Sequence, residues 1–406
     1  MDKSTTSPKL ALAAILMLFM IDAMGIGLMM PVMPSLIQEV TGEDISHAAV
    51  WGGILTTSFA IMQFICAPTI GAISDVLGRR SVLIVSLIVM CFDYLIMAVA
   101  GTIWLLLLLR LISGTTSANF AVGSAFIADV SPSEKRAANF GLMGAGFGIG
   151  FVLGPIIGGM LSVYGTRAPF YAAAALTAIN ILFIYFVLPE TVKKRSFEWP
   201  KWEKINPLST FKIVFQHRQL RLILAIILLN EISFVVYPAV WSFFTIERFA
   251  WTPSQVGMSL ALFGICMAVV QAVVIRVYLK YLGEVKTVVV GLSMNVIVFS
   301  IMTFLETGWI ALALIPLSAM GAVILPPLKA IMSKQTPDDA QGALLGVISS
   351  TASVGAIFGP LIATFSFRMF TGDDPITYLP GIPFAVSALM MVISLFLIAR
   401  INRTPA

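Results

Sequence analysis

The sequence predicts an all-α membrane protein with twelve transmembrane helices arranged in two six-helix halves. Of its 406 residues, 59% are hydrophobic and only 11% are charged, whereas soluble domains carry about 25% charged residues. Twelve apolar segments lie between Ala11 and Arg400, and each is long enough to cross a hydrocarbon core of about 30 Å. The two halves also match each other at a constant offset of 205 residues. Lipid is therefore the solvent for most of this chain.

The apolar segments give the expected helices in chain order. The first, from Leu10 to Met30, is too long for the core of a signal peptide, so we expect it to stay in the mature protein. The longest polar stretch, from Pro189 to Arg221, separates the sixth segment from the seventh. We therefore expect an N-terminal six-helix bundle in residues 1–188, a cytoplasmic linker in 189–218 and a C-terminal six-helix bundle in 219–406. The expected helices are 9–30, 50–71, 82–100, 104–127, 138–161, 168–188, 219–243, 254–276, 286–305, 309–331, 342–364 and 379–400.

The basic residues predict how the chain is oriented in the membrane. With the N-terminus inside, only Arg167, Arg248 and Arg368 of the 25 Lys and Arg residues lie in outer loops, and Arg110 lies within the membrane. Cytoplasmic loops carry an excess of Lys and Arg in membrane proteins. We therefore expect a multi-pass protein of the cell inner membrane, with both termini in the cytoplasm.

The residue types argue against an enzyme. No nucleophile–base set, phosphate-binding loop or His/Cys cluster with metal-ligand spacing is visible, and the three cysteines fall within apolar segments. We expect no metal site, no cofactor other than a proton gradient, and no nucleic-acid partner. The expected partners are a small-molecule substrate, protons and the lipid bilayer, and we expect the protein to act as a monomer.

One offset links three separated pairs of sites in the two halves. Gly154-Pro155 corresponds to Gly359-Pro360, and Gly78 corresponds to Gly283. The loop SPSEKRAANFG (131–141) likewise corresponds to TPDDAQGALLG (336–346). Parallel repeats of six helices resemble the major facilitator architecture, in which the binding site lies between the halves near the middle of the membrane.

Several runs resemble the tetracycline-resistance efflux branch of the major facilitators. These are IDAMGIGLMMPVMP (21–34), GAISDVLGRRS (71–81), FDYL (92–95), LLRLISGTTSANFAVGSAFIAD (108–129), GAGFGIGFVLGPIIGG (144–159) and VWSFFTIERFAW (240–251). The resemblance implies a drug–proton antiporter that expels a metal–tetracycline chelate in exchange for protons. The chain departs from the family pattern at three positions. This chain has Asn295 where the family pattern has an acid, Met267 where it has a histidine and Lys329 where it has a neutral amide.

Three ionisable residues are expected to form a polar layer in the first half. Asp93 and Arg110 lie 8 and 9 residues from the turn at Gly101-Thr102, so they should lie at nearly the same depth, and Asp22 should lie at a similar level. Charge at membrane depth costs about 2.5–3.5 kcal/mol on insertion scales, so each residue is a candidate for the proton or substrate path. The alternative for Asp93 and Arg110 is a buried pair that fixes one helix to the next.

Other polar residues within the apolar segments are candidates for substrate contacts. Gln63 and Asn119 are neutral candidates, and their alternative role is to join neighbouring helices through hydrogen bonds.

Glu231 and the aromatic residues after it form a further candidate for the substrate path. Phe234, Tyr237 and Trp241 follow Glu231 at helical spacing, which suits a flat, amphipathic or cationic ligand. The alternative is that these aromatic rings pack against lipid or neighbouring helices. Glu231 is also a candidate to replace the acid absent at position 295.

The loop GAISDVLGRR is expected to control opening and closing. Its glycines allow a tight turn, its acid can lie against the N-terminal end of a neighbouring helix, and its two arginines can pair with an acid at the end of helix 4. The alternative is that the arginines only follow the positive-inside rule. The residues of this predicted gate are Gly71, Asp75, Gly78, Arg79, Arg80 and Asp129.

The fifth helix carries a glycine-rich run that ends in a proline kink. Small residues allow close helix packing, and a proline bends a helix because it cannot donate a backbone hydrogen bond. The family resemblance implies that this run is typical of exporters and lies between helices 5 and 8. Its residues are Gly144, Gly148, Gly150, Gly154, Pro155, Gly158 and Gly159.

The function that these patterns favour is proton-coupled export of an amphipathic, tetracycline-like drug by alternating access. A proton-linked or facilitative transporter of another metabolite or a siderophore-like molecule is the main alternative, and a membrane receptor that does not transport is a third. The glycine-rich fifth helix argues against the second possibility, and the predicted gate argues against the third.

Overall fold

The structure is a computed structural model, and it describes residues 8–117, 119–192, 218–337, 340–375 and 377–401. Within these ranges, eleven helical runs are long and apolar enough to cross a membrane. One of them, Pro253–Thr303, has 51 residues, or about 76 Å at 1.5 Å per residue, which is enough for two crossings. The predicted all-α fold with twelve membrane helices is therefore confirmed.

The first six helices follow the expected order. They are α1 (Pro8–Met29), α2 (Ile45–Leu77), α3 (Arg79–Val99), α4 in two segments (Ile103–Thr116 and Asn119–Val130), α5 (Arg136–Leu161) and α6 (Ala168–Val187), with a short helix Met33–Thr41 between α1 and α2. The start of α2 lies before the predicted residue 50 because Asp44 precedes it. The side chain of Asp44 accepts a hydrogen bond of 3.1 Å from the backbone N–H of His47, which satisfies a free donor of the first turn.

The last six helices are more interrupted than the sequence predicts. They begin with α7 in two segments, Arg218–Phe234 and Val236–Phe249. Helix α8 begins as Pro253–Val269 and continues through a π-helical turn, Val270–Val274. The helix that follows, Ile275–Thr303, has non-helical backbone angles at Gly283. We therefore assign the residues before Gly283 to α8 and residues 284–303 to α9. Helix α10 comprises Gly308–Ser318, a 3-10 segment Ala319–Val323 and Leu325–Lys334, and the chain continues with α11 (Gln341–Met369) and α12 (Ile382–Ile401).

Prolines explain two of the interruptions. Pro238 has no N–H to donate to the preceding turn, and α7 breaks at Val235. Pro326 and Pro327 act in the same way on α10, whose preceding residues form a 3-10 segment. The predicted helices 4, 7 and 10 are therefore each divided in the structure.

The backbone repeats at the same offset as the sequence. Gly78 and Gly283 both have positive φ, at 101° and 73°, a conformation that favours glycine. Pro155 and Pro360 lie inside α5 and α11. The break in α4, between Thr116 and Asn119, corresponds to the 3-10 segment of α10 when 205 residues are added. The internal repeat therefore includes local backbone geometry as well as residue type.

The chain divides into two compact units. Unit 1 consists of the described residues within Met1–Gly42, Ser58–Ile205 and Thr252–Ala261. Unit 2 consists of those within Glu43–Thr57, Asn206–Trp251 and Leu262–Ala406. The start of α8 thus belongs to unit 1, where Gly257 packs against the carbonyl oxygen of Pro155, and the start of α2 belongs to unit 2, where Gly53 packs against Thr364 and Pro360. Most of the predicted linker, residues 193–217, lies outside the described residues.

Candidate functional site

Asp93 and Arg110 form an ion pair inside unit 1. The Arg110 guanidinium donates from Nη2 to Oδ2 of Asp93, whose residue is only 3% exposed, and it contacts Sδ of Met97 at 2.9 Å. The guanidinium carbon also lies 5.7 Å from the centre of the Phe59 ring. The structure thus brings α3 and α4 together through this pair, the arrangement that favours its structural role.

Asp22 has a different environment from Asp93. Its Oδ2 accepts a hydrogen bond of 2.8 Å from Nδ2 of Asn119, whereas its Oδ1 is buried and has no hydrogen-bond partner among the described residues. None of the ion pairs in the described part of the chain includes Asp22, and Arg110 pairs with Asp93. Asp22 can therefore gain or lose a proton without breaking an ion pair.

Tyr94 lies among these charges, and sequence reasoning missed it as a site residue. The side chain is buried and is close enough to interact electrostatically with Asp22, Asp93 and Arg110. Its hydroxyl lies against Gly25, one helical turn after Asp22 in α1, where a Cβ atom would clash with it. The available signal was its place directly after Asp93 in the run FDYL (92–95).

Gln63 of α2 forms hydrogen bonds at the break in α4. Its Nε2 donates to the carbonyl oxygen of Ser117 at 3.0 Å and lies 3.3 Å from the Ser117 hydroxyl. Helix α2 approaches α4 closely here, because a Cβ on Gly114 would lie 2.6 Å from the carbonyl oxygen of Phe59. For Gln63 the geometry favours the role of joining helices, whereas Asn119, just after the break, contacts the candidate proton site.

The predicted gate residues form a cluster in unit 1 around Arg79. This arginine pairs with Asp75 one turn before it, and its Nε lies 3.4 Å from Oδ2 of Asp129. It also donates from Nη1 to Oγ of Ser74 at 2.6 Å and to the carbonyl oxygen of Gly71 at 3.4 Å. Arg79 therefore joins the end of α2 to the end of α4.

Arg80 differs from its predicted role. Its Nη2 donates to the carbonyl oxygen of Tyr185 in α6, and its guanidinium lies 5.2 Å from the Tyr185 ring centre. Asp129 accepts a hydrogen bond of 3.0 Å from Oγ1 of Thr191 instead, and the Glu190 carboxyl group lies against Gly78. Arg80 thus contacts α6 because it lies one position, about 100° around the helix, after Arg79.

The glycine-rich face of α5 packs mainly against α1, not α8 as the resemblance implies. Cβ atoms on Gly150, Gly154 and Gly158 would meet the carbonyl oxygens of Met20, Met24 and Leu28. These positions recur every four residues on both helices, so one face of α5 follows the backbone of α1. Pro155 and Gly159 contact the start of α8, whereas Cβ atoms on Gly144 and Gly148 would have open space.

Glu231 lies in unit 2, before the break in α7. A Cβ on Gly355 of α11 would lie 2.6 Å from Cβ of Glu231, so the two helices are in close contact. The segment of α7 that carries Glu231 packs against the last segment of α10, which carries Lys329. Asn295, which stands where the resemblance implies an acid, is 6% exposed and packs beside Gly321 in the 3-10 segment of α10.

Two of the three aromatic residues that were candidates for ligand contacts are buried within unit 2. Tyr237 is 3% exposed and stacks on Phe263 with ring centres 4.5 Å apart, and Trp241 is 1% exposed. Both rings also contact Phe384, at 6.3 Å. For these two rings the burial favours packing between neighbouring helices, the alternative to a ligand contact, because aromatic rings on neighbouring helices bury each other. Phe234 is 37% exposed and remains accessible.

The described residues contain no group of three or more His, Cys, Asp or Glu side chains that could hold a metal ion. The three cysteines are free and partly buried. The candidate polar sites within the membrane spans of the described chain include the Asp22–Asn119 contact and the Asp93–Arg110 pair.

The chain is similar to a known protein family and to several resistance proteins over most of its length. The model of the Major Facilitator Superfamily matches residues 15–246 and 227–406. The class C tetracycline resistance protein of Escherichia coli is 38% identical over 87% of this chain and 89% of its own length, and the class B protein of Escherichia coli is 36% identical over 86% of each. The quinolone resistance protein NorA of Staphylococcus aureus is 27% identical over 91% of this chain and 92% of its own length.

Solved structures support the fold. The nucleoside transporter NupG matches with a TM-score of 0.78 over 97% of this chain and 100% of its own, at 14% identity. The human organic anion transporter MFSD10 matches with a TM-score of 0.69 over 97% and 99%, at 23% identity. At these identities the likeness concerns the fold alone.

Proposed function

The chain belongs to the Major Facilitator Superfamily, and we propose that it exports an amphipathic, tetracycline-like drug across the inner membrane in exchange for protons. The superfamily consists of transporters, so this protein is a transporter and not an enzyme. Its relatives include tetracycline and quinolone resistance proteins. Alternating access, in which the two six-helix halves expose one site to each side in turn, is the mechanism of this proposal.

The Asp22–Asn119 contact is the observation that carries the proposal of proton coupling. Asp22 lies within α1 with one amide hydrogen bond and no cation among the described ion pairs. Intramembrane acids of this kind form proton relays in pumps and transporters. Asp93 is a weaker candidate, because a change in its protonation would break the pair with Arg110.

The Arg79 cluster supports a latch between α2 and α4. An ion pair that forms in one state and breaks in the other biases the equilibrium between them. We propose that the cluster faces the cytoplasm, as do both termini, and that the protein acts as a monomer. A siderophore-like or metabolite substrate taken up with protons is a weaker alternative, since the curated relatives named above are resistance proteins.

The test is efflux of tetracycline, added with magnesium, from cells that express the wild type or Asp22→Asn. We expect wild-type efflux to stop when a protonophore is added, and the Asp22→Asn variant to export at least tenfold less while still reaching the membrane. Asp374→Asn is the matched control, because Asp374 is exposed in the loop before α12. Efflux by Asp22→Asn at the wild-type rate would remove Asp22 from the proposal.

A further inference from the structure

Glu231 and Lys329 are opposite charges within the spans of two facing helices of unit 2. Glu231 lies 13 residues after Arg218, where α7 begins, so it is about 20 Å along that helix. Lys329 lies five residues before Lys334, where α10 ends, a distance of about 8 Å. Charges at such depths are costly, and they mark substrate or ion pathways more often than other intramembrane residues do.

The directions of the two helices bring these side chains toward each other. Successive membrane helices alternate in direction, so α7 and α10 are antiparallel, and the start of α7 lies at the same side as the end of α10. A side chain in an α-helix leans toward the N-terminus of its helix. Lys329 therefore leans into the membrane, away from Lys334, whereas Glu231 leans toward the start of α7 and so toward Lys329.

This geometry differs from that of an ordinary lysine near a helix end. Such a lysine extends its ammonium group to the nearer interface, which removes the cost of burial. The partly buried Lys329 lies on the last segment of α10, which packs against the first segment of α7, the segment that carries Glu231. The two residues do not form one of the direct ion pairs of the described residues. Two charges that approach without touching can each bind a further charged group.

Nearby residues fix one end of this arrangement and add an apolar surface. Gly355 of α11 packs against Cβ of Glu231, which fixes the position of the acid on α7. Phe234, one turn later, is 37% exposed, and its ring centre lies 6.2 Å from that of Phe263. A ligand bound to Glu231 could therefore place a flat ring on Phe234.

We propose that Glu231 and Lys329 form a subsite for a zwitterionic, amphipathic substrate, in which Lys329 binds a carboxylate and Glu231 binds an ammonium group. This inference rests on the proposed function, since it names the substrate class of the same transporter. A purely cationic drug would be attracted by Glu231 but repelled by Lys329. A zwitterion matches both charges, so neither remains unpaired when the ligand displaces water.

The test compares ciprofloxacin, a zwitterion near neutral pH, with its methyl ester, a cation without the carboxylate. Binding to the purified full-length protein and efflux from cells are both measured for the wild type, Lys329→Gln and Lys329→Arg. We expect Lys329→Gln to weaken ciprofloxacin binding at least tenfold and to leave or improve ester binding. Lys329→Arg should keep the preference for ciprofloxacin, because it keeps the positive charge.

Three results would overturn the subsite. One is equal loss of both compounds in Lys329→Gln, because a merely structural lysine would affect both. Another is an unchanged preference for ciprofloxacin in that variant, and the third is failure of the wild type to bind either compound. Failure of the proposed function would give a different result. The wild type would bind ciprofloxacin, and Lys329→Gln would weaken that binding as expected, but cells would show no protonophore-sensitive efflux of any compound.

Discussion

At the scale of single residues, two intramembrane acids of unit 1 have different surroundings. Asp93 pairs with Arg110, whereas Asp22 accepts a single amide hydrogen bond from Asn119. A buried ion pair is costly to break, because the remaining charge has no partner. An acid bound only by an amide changes protonation without leaving such a charge. This difference supports the proposal that Asp93 has a structural role and that Asp22 exchanges protons.

A double-variant comparison tests the structural role of the Asp93–Arg110 pair. Asp93→Asn leaves Arg110 buried without its carboxylate, and we expect the protein to lose about 3 kcal/mol of stability. Adding Arg110→Gln should recover much of that loss, since no unpaired charge remains. Thermal unfolding of the purified protein measures both changes. If the double variant is less stable than Asp93→Asn, the unpaired charge is not the cause of the loss.

At the scale of helices, α1 and α5 depend on the absence of side chains. The glycines of α5 at every fourth position place its backbone against carbonyl oxygens of α1. Close approach of this kind strengthens helix association in a membrane, where lipid gives no hydrophobic force between helices. Glycine is otherwise unfavourable in a helix by about 1 kcal/mol relative to alanine, so packing has to compensate at these positions.

Two alanine substitutions in α5 separate packing from helix propensity. In Gly150→Ala the added methyl group would meet the carbonyl oxygen of Met20 and Cβ of Ala23, so we expect a loss of about 1–3 kcal/mol. In Gly148→Ala the methyl group meets nothing within 4 Å, and we expect no loss or a gain of up to about 1 kcal/mol. Thermal unfolding measures both. Equal effects of the two substitutions would contradict this account of the α1–α5 contact.

At the scale of the whole molecule, the sequence repeat has a structural counterpart in each unit. Gly78 and Gly283 share a positive φ, and Pro155 and Pro360 each face a glycine, Gly257 in unit 1 and Gly53 in unit 2. A duplicated six-helix plan explains why the same local geometry recurs 205 residues later. The charged residues within the membrane do not recur, because 205 residues after Asp22 and Arg110 the chain has isoleucine. The plan of the helices is repeated, whereas the polar chemistry is not.

The distribution of basic residues gives a prediction for the whole molecule. We expect both termini to be cytoplasmic, since Lys and Arg concentrate in the loops on that side. A green fluorescent protein fused to the C-terminus should fluoresce, and alkaline phosphatase fused after Arg167 should be active outside the cytoplasm. Alkaline phosphatase fused after Lys135 is the control and should be inactive. The reverse pattern would contradict the predicted orientation.

The sequence by itself determined the helical membrane fold and the internal repeat, because apolar length and a constant offset are properties of the chain that need no tertiary contact. It also singled out the rare charges within the membrane. Only the tertiary structure decided their partners: Asn119 for Asp22, Tyr185 for Arg80, and α1 for the glycines of α5. It also enclosed Tyr237 and Trp241 among other rings. The physical reason is that helical spacing fixes which side chains share a face, whereas the partner of that face depends on how distant helices pack.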